Sequence, residues 1–453
     1  MTKTNAAMHR MAKNSGKTMS WVLGLVCCVC VACGTAEESG YEPVGVKGQV
    51  THVQPMTGMV LWNEQAANLQ ATHGDAIALE FSYVQPCRLV TGKADGKIQY
   101  DWTFLEDKLN GAAGRGHQMV VRFPLCYPSN RNNCSDTRGG TYVPDYIRAL
   151  PDYRETYAAN PGGDGPTWYP DWSHSELQWF VKQFYSDLAA RYNRDPRIAF
   201  VEVGFGHWGE YHTYGTEPQF GMNFPTREYQ RELFIHLSHV MEIPWLTSID
   251  AGDEYYSDVC VHAESKDLSF GLFDDTFMHA EHDLSEGDGW NERCWIWSGM
   301  DRWKNGVCGG EISYYTANDQ LNFLNPAGMY GRTWEQAAAK YHMTFVICND
   351  APRGNYFSPE RVTQAGIASG YTFAVTSCET NGVNSRVTVR NNGMAPIYRD
   401  AYVTVNGKRS EQSLRGLLPG EELVCTVKKA VATADNVRIT SDFILPTQEI
   451  QYE

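Results

Sequence analysis

Residues 195–212 read Asp-Pro-Arg-Ile-Ala-Phe-Val-Glu-Val-Gly-Phe-Gly-His-Trp-Gly-Glu-Tyr-His. The stretch 198–204 is a near-continuous apolar run, short enough for a strand buried on both faces. Glycines at 204, 206 and 209 then allow tight backbone turns, and Glu210 emerges after them beside Trp208 and Tyr211.

Outward from this strand, short apolar runs alternate with longer helical patterns from residue 51 to 370, as repeated βα units and a parallel sheet require. Strands are predicted at 59–62, 76–81, 118–123, 198–204, 244–248, 270–274, 307–311 and 343–348. Eight is the number that closes a TIM barrel, so the expected fold class is α/β, a (β/α)8 TIM barrel over 51–370. Helices are predicted at 176–192, 226–241, 333–341 and 359–369; in the first, Leu177, Phe180, Phe184, Leu188 and Tyr192 recur every three or four residues. The long connection between the third and fourth strands carries Tyr142, Tyr146, Tyr153, Tyr157, Trp168, Tyr169 and Trp172, rings that either stack on sugars or pack the loop itself. Beyond Gly370 the pattern becomes alternation with turn signals at Asn391-Asn392-Gly393 and Asn406-Gly407, which predicts a C-terminal all-β sandwich over 371–453.

At the N-terminus Lys3, Arg10, Lys13 and Lys17 precede an apolar run, 21–32, that ends at Cys33-Gly34. This is the layout of a secretory signal, and it is too short for a membrane span of about 20 apolar residues. It also resembles a bacterial lipoprotein signal, which implies a lipid anchor on Cys33 and a location in the periplasm or at the cell surface. Residues 1–32 are set apart as signal peptide and 33–50 as a polar linker. The formal charge of −15, from 38 basic and 53 acidic residues, becomes −19 once the four basic residues of the signal are removed. Such a balance argues against a nucleic-acid partner, whose phosphates demand clustered Lys and Arg, and leaves Arg122, Arg131 and Arg138 as a local patch for one sulfate or carboxylate. Four of the 13 cysteines, at 27, 28, 30 and 33, lie in the signal region and nine in the folded part, where an oxidising compartment favours a short Cys126–Cys134 bridge. No Cys-x-x-Cys pair occurs among the nine, and Asp274, Asp275, His279 and His282 read as a hydrogen-bond network rather than a metal site, so no metal or cofactor is expected.

In a barrel, carboxylates at the C-terminal strand ends are the catalytic candidates. Glu210 follows the fourth strand, and Glu311 ends the seventh, Val307-Cys-Gly-Gly-Glu. An apolar wall from Trp208 and Tyr211 would raise the Glu210 carboxyl and suit it to general acid/base work, with Glu202 as the rival. Hydroxyls of Tyr314 or Tyr315, or a nearby Arg122, would keep Glu311 ionised as a nucleophile. Retaining glycosidases need such a pair about 5–5.5 Å apart. Arg122, His207, Trp208, His212, Asp274 and Tyr314 are the candidate sugar contacts around it, with His117 and Asp275 on the same expected rim.

The segment 195–212, together with Gly271-Leu-Phe-Asp-Asp-Thr-Phe, Gly309-Gly-Glu and Gly370-Tyr-Thr-Phe-Ala-Val-Thr, resembles the bacterial family catalogued as domain of unknown function 4832, over nearly all of residues 51–453. That family is similar to barrel glycoside hydrolases of clan A, including family 42 β-galactosidases, which typically carry Asn-Glu where this chain has Gly209-Glu210. The resemblance implies hydrolysis of a galactose-containing glycan of plant or red-algal type, with an oligo- or polysaccharide as partner. Two alternatives stay open: a non-catalytic glycan-binding surface lipoprotein, and an inverting hydrolase that uses Glu202 or Asp274.

Overall fold

The computed structural model describes residues 40–128, 134, 140–159, 163, 165–213, 216–280 and 289–453. The signal segment 1–32, Cys33, Arg131, Arg138 and His282 lie outside the described residues.

Eight parallel strands close into a barrel: β1 (Gly58–Trp62), β2 (Leu79–Tyr83), β3 (Gln118–Arg122), β4 (Ile198–Val203), β5 (Trp245–Ser248), β6 (Gly271–Phe277), β7 (Cys308–Ile312) and β8 (Phe345–Ile347). The pairing Phe345↔Gly58 between β8 and β1 completes the ring. All eight predicted strands form. Because side chains alternate along a strand, their apolar residues divide into two cores. Met59, Leu61, Met119, Val121, Val201, Leu272 and Val346 pack outward with the helices. Val60, Leu79, Phe81, Val120, Phe200, Leu246, Phe273, Phe345 and Ile347 fill the barrel, where Phe200 stacks on Phe345 at 5.3 Å.

The predicted helices form as Ser175–Tyr192, Arg227–Val240, Trp334–Tyr341 and Pro359–Ile367. Thr226, Thr333 and Ser358 start the last three, each hydroxyl accepting a first-turn backbone N–H that would otherwise lack a partner. A hairpin, Val90–Ala94 with Lys97–Tyr100, adds to the expected elements. It turns on Asp95-Gly96, both at positive φ, the dipeptide that suits the twist of paired strands.

Residues 371–453 form two antiparallel sheets. One contains Phe373–Thr380, Ser385–Asn391 and Glu422–Val427; the other places Tyr402–Val405 between Lys408–Ser413 and Val437–Thr440. Glu42–Pro43, within the stretch expected to be linker, adds an edge strand to the first sheet through Glu42↔Thr380, since an open sheet edge offers backbone partners whatever the side chains are. Tyr371, Phe373, Val387 and Val403 belong to one continuous core with the barrel interior, and the Tyr371 hydroxyl donates to Pro55 O at 3.1 Å.

The expected Cys126–Cys134 bridge is not formed. Cys134 pairs instead with Cys87, with Cα atoms 5.9 Å apart, and Cys126 is a buried thiol just beyond β3. The loop after β2 runs beside the chain near residue 142, with Cys87 N donating to Tyr142 O and Tyr142 N to Leu125 O. Adjacency of barrel strands, not closeness in sequence, selects the partner. Peptide mapping without reduction is expected to recover a Cys87–Cys134 cross-link and an alkylatable Cys126. Cys134→Ser is expected to lower unfolding stability by about 2–4 kcal/mol in denaturant titration.

Candidate active site

Tyr83, Arg122 and Glu202 are register neighbours at the C-terminal ends of β2, β3 and β4. Arg122 has no exposed surface, and its donors reach three carboxylates. Nε donates to Glu202 Oε2 at 2.7 Å, Nη1 to Glu210 Oε1 at 2.7 Å and Nη2 to Glu311 Oε1 at 2.8 Å. The guanidinium lies over the Phe273 ring, 4.3 Å from its centroid, which adds a cation–π contact from below. Expected both as a sugar contact and as a cation beside Glu311, Arg122 holds Glu311 and two further glutamates.

Glu210 reaches this guanidinium because the loop after β4 doubles back on itself. Phe205 N and Gly206 N both donate to Glu210 O, and Trp208 takes φ 53°. A Cβ on Gly204 would lie 2.1 Å from Gly209 O, and one on Gly206 would lie 2.0 Å from His212 O. Only glycine fits where backbone meets backbone so closely. The apolar wall expected around Glu210 is absent. Tyr211 turns away into Phe205, Phe224 and Phe234, while Glu210 Oε2 lies 3.2 Å from His212 Nε2. On the far side of the imidazole, His212 Nδ1 is 2.6 Å from Asp250 Oδ2.

The charges around this site are unequal. Burial raises the Glu210 carboxyl, but the His212 hydrogen bond and the Arg122 charge outweigh it and hold the group below its ordinary range. Burial pushes Glu311 up to about 8; Arg122 opposes this, while Glu210 and Glu202 add to it. Burial likewise raises Glu202, whose Oε1 has no hydrogen-bond partner among the described residues. Asp275 is raised well above its ordinary value by burial and by the charges of Glu210 and Asp250. His212 goes up to about 9: burial works against its charge, and the bonds to Asp250 and Glu210 win. Two cations thus face five carboxyl groups, so some of the five hold protons at neutral pH.

The remaining predicted residues divide between the site and its surroundings. His207 stays with it, 2.6 Å from the Tyr169 hydroxyl through Nε2, and burial lowers it to about 3, which leaves it neutral. The Trp208 ring neighbours both histidines, 5.3 Å from His207 and 5.8 Å from His212. Tyr314 stands half-exposed just beyond Glu311. Asp274 does not face the site. It accepts from Asn291 Nδ2 at 2.6 Å and Trp295 Nε1 at 3.1 Å on the helix Trp290–Ser298, because β6 turns alternate residues outward, and the next residue, Asp275, meets Glu210 and His212 instead. His117 precedes β3, at the opposite end of the barrel from Arg122, and bonds Glu80 and Gly74 O. His279 bonds Asp319. In the long aromatic connection, Tyr142, Tyr153 and Trp172 are buried packing residues, and Tyr157 is exposed. Asp250 was missed, although it follows the β5 run Trp245-Leu-Thr-Ser-Ile-Asp, where the search for carboxylates at strand ends would have found it. Glu210, His212 and Asp275 bring ligand-type atoms within 4.8 Å of one another and are the set a metal ion would use.

No family model matches the chain, and no curated protein matches it. Among solved structures it is similar to a monomeric β-xylosidase from Caulobacter crescentus CB15, at 11% identity and TM-score 0.40 over 78% of this chain and 76% of that one. It is also similar to a family 39 β-xylosidase from Caulobacter crescentus, at 12% identity and TM-score 0.39 over 80% and 84%. A third is a β-galactosidase from the psychrophilic Marinomonas ef1, at 9% identity and TM-score 0.37 over 68% and 59%.

The raised Glu311 has a consequence for folding. Between its ordinary value of 4.5 and about 8, the unfolded chain releases this proton while the folded chain keeps it, so stability falls as pH rises through that window. Glu311→Gln removes the penalty. Its melting temperature is expected to exceed that of the parent by about 2 °C or more at pH 8, with the gap closing below pH 5, in calorimetry across pH.

Proposed function

We propose that the protein is a glycoside hydrolase of the retaining type that acts on a galactose-containing glycan, with Glu210 and Glu311 as its catalytic pair. One observation carries this reading: two buried glutamates, one from the loop after β4 and one from the end of β7, are bonded to different nitrogens of the Arg122 guanidinium. A single guanidinium spaces them closely, as the pair about 5–5.5 Å apart in retaining enzymes is spaced, rather than the pair about 6.5–9.5 Å apart that leaves room for water in inverting ones.

The charges support an assignment of roles. Glu210, with a cation at each oxygen, is the ionised group that attacks the anomeric carbon as the glycosidic bond breaks. Glu311, still protonated near neutral pH, gives its proton to the departing oxygen. In the second step it takes a proton from the water that displaces Glu210 from the sugar. These roles reverse those expected from the sequence, because Arg122 and His212 take the place of the apolar wall anticipated at Glu210. The galactose preference and an exported, lipid-anchored location at Cys33 rest on the sequence resemblances alone.

With algal galactan oligosaccharides as substrates, Glu210→Gln and Glu311→Gln are each expected to lower kcat/KM about 10³-fold or more, whereas on 4-nitrophenyl β-D-galactoside, whose phenolate leaves without a proton, only Glu210→Gln is. In the parent, kcat/KM on the oligosaccharides is expected to fall above pH about 8 as Glu311 loses its proton, and the first anomer seen by proton NMR to keep the substrate's configuration. Full turnover of the oligosaccharides by Glu311→Gln would sink the assignment. Tight binding without cleavage across a broad glycan panel would favour the non-catalytic reading.

A further inference from the structure

Trp62 ends β1, and its barrel neighbours lead from it to both sides of the candidate site. Val60 and Phe81 fill the barrel interior, so by alternation Trp62 and Tyr83, each two residues further on, face inward at the mouth. Their ring centroids are 5.4 Å apart, and the Tyr83 hydroxyl accepts from Arg122 Nη1 at 3.4 Å. On the other flank the indole Nε1 donates to Asn349 Oδ1 at 3.1 Å, and Asn349 Nδ2 donates at 2.9 Å to the carbonyl of Ile312, the residue after Glu311. Trp62 is therefore one side chain removed from Arg122 and one from the strand that bears Glu311.

The indole is fixed from both ends. Trp62 N donates to Gln65 Oε1 at 3.3 Å, Gln65 Nε2 donates to Asn349 O at 2.7 Å, and Asn349 Oδ1 takes the indole proton, which closes a ring of hydrogen bonds. Asn349 is 1% exposed and holds φ 47°, a left-handed conformation that asparagine tolerates better than most side chains. With its N–H satisfied, the half-buried indole offers the mouth a flat apolar surface. The Phe81 and Tyr83 rings meet it at 88° and 53°, so neither lies flat against it. The mouth is consequently two-sided. Rings come from β1 and β2, while β3 to β7 and their loops bring Arg122, Glu210, Asp275 and Glu311. A ligand lodged there must be flat and apolar on one side and hydroxylated on the other. A pyranose ring fits this description, galactose in particular, because its axial 4-hydroxyl leaves C–H groups together on the opposite face.

We propose, resting on the hydrolase reading above, that Trp62 is the platform on which the sugar ring of the cleaved bond stacks, with Asn349 as the positioning residue that sets the angle of the indole. Trp62 touches the C–H face of the sugar. Asn349 acts through Trp62 and touches no reacting atom. Such stacking holds the sugar before and during the reaction alike, so loosening it raises KM more than it lowers kcat.

Calorimetric titration of the full-length Glu311→Gln protein with algal galactan oligosaccharides measures binding with turnover suppressed. In that background Trp62→Leu, which keeps bulk but loses the flat face, is expected to weaken binding about 10-fold or more, and Trp62→Phe, which keeps a flat face, by less than about 3-fold. With both glutamates intact, Asn349→Ala is expected to raise KM for the same oligosaccharides about 3-fold or more with kcat within about two-fold. Circular dichroism confirms that the variants are folded. Should Trp62→Leu not fold, saturation-transfer NMR on the Glu311→Gln protein replaces it: irradiated aromatic protons are expected to pass saturation mainly to the C–H protons of one sugar face. Unchanged binding in a folded Trp62→Leu, equal loss in Trp62→Leu and Trp62→Phe, saturation without preference for a face, or no binding at all overturns the platform. An unmoved KM in folded Asn349→Ala overturns the positioning role. If the parent cleaves no glycoside while Trp62→Leu still abolishes oligosaccharide binding, the platform stands and it is the hydrolase reading that fails.

Discussion

Arg122 carries one positive charge, exposes no surface and is divided among three glutamates. Burying an ion is expensive, and breaking a buried pair by removing one partner typically costs about 3–5 kcal/mol because the other charge is left stranded. Here the stranded partners would be three. The side chain comes from β3, Glu202 from β4, Glu311 from β7 and Glu210 from the loop that folds back after β4, so one guanidinium ties together both sides of the barrel mouth. Phe273 beneath it and Tyr83 beside it close off water from below.

In the proposed reaction, the charge deficit this creates is the source of the chemistry. Because Arg122 cannot neutralise three carboxylates, Glu210, which gains a second cation, is held below its ordinary range, while Glu311 and Glu202, which do not, are raised. His212 supplies that second cation to Glu210, and Asp250 in turn keeps His212 charged. An ionised carboxylate and a protonated one, on the two sides of one cleft, are the two states that glycosidic double displacement requires. The same imbalance weakens the fold as pH rises, a stability cost of the kind functional sites commonly carry.

Much of the fold was legible because its signal is local. A buried parallel strand is a short apolar run, and eight such runs separated by helical periods specify a barrel before any contact is known. The helix starts at Thr226, Thr333 and Ser358 were readable for the same reason, since a cap acts within one turn. The Asp95-Gly96 hairpin was equally readable and was overlooked. Glu311 was found by its place at a strand end, and Glu210 by its glycine-rich loop. The inward turn of Asp275 in place of Asp274 follows from period-two alternation, but only once the phase of β6 is set by its neighbours.

By itself the sequence determined the barrel, the β-rich C-terminal region and the two glutamates at strand ends, all of which depend on patterns only a few residues long. The tertiary structure alone decided which residues meet: Cys87 with Cys134 rather than Cys126, Arg122 with Glu202 and Glu210 as well as Glu311, and Glu210 with His212 rather than an apolar wall. A side chain's ionisation and its bonding partner are set by groups within a few ångströms in space, and folding brings together groups the sequence separates, by 47 residues for Cys87 and Cys134 and by 189 for Arg122 and Glu311.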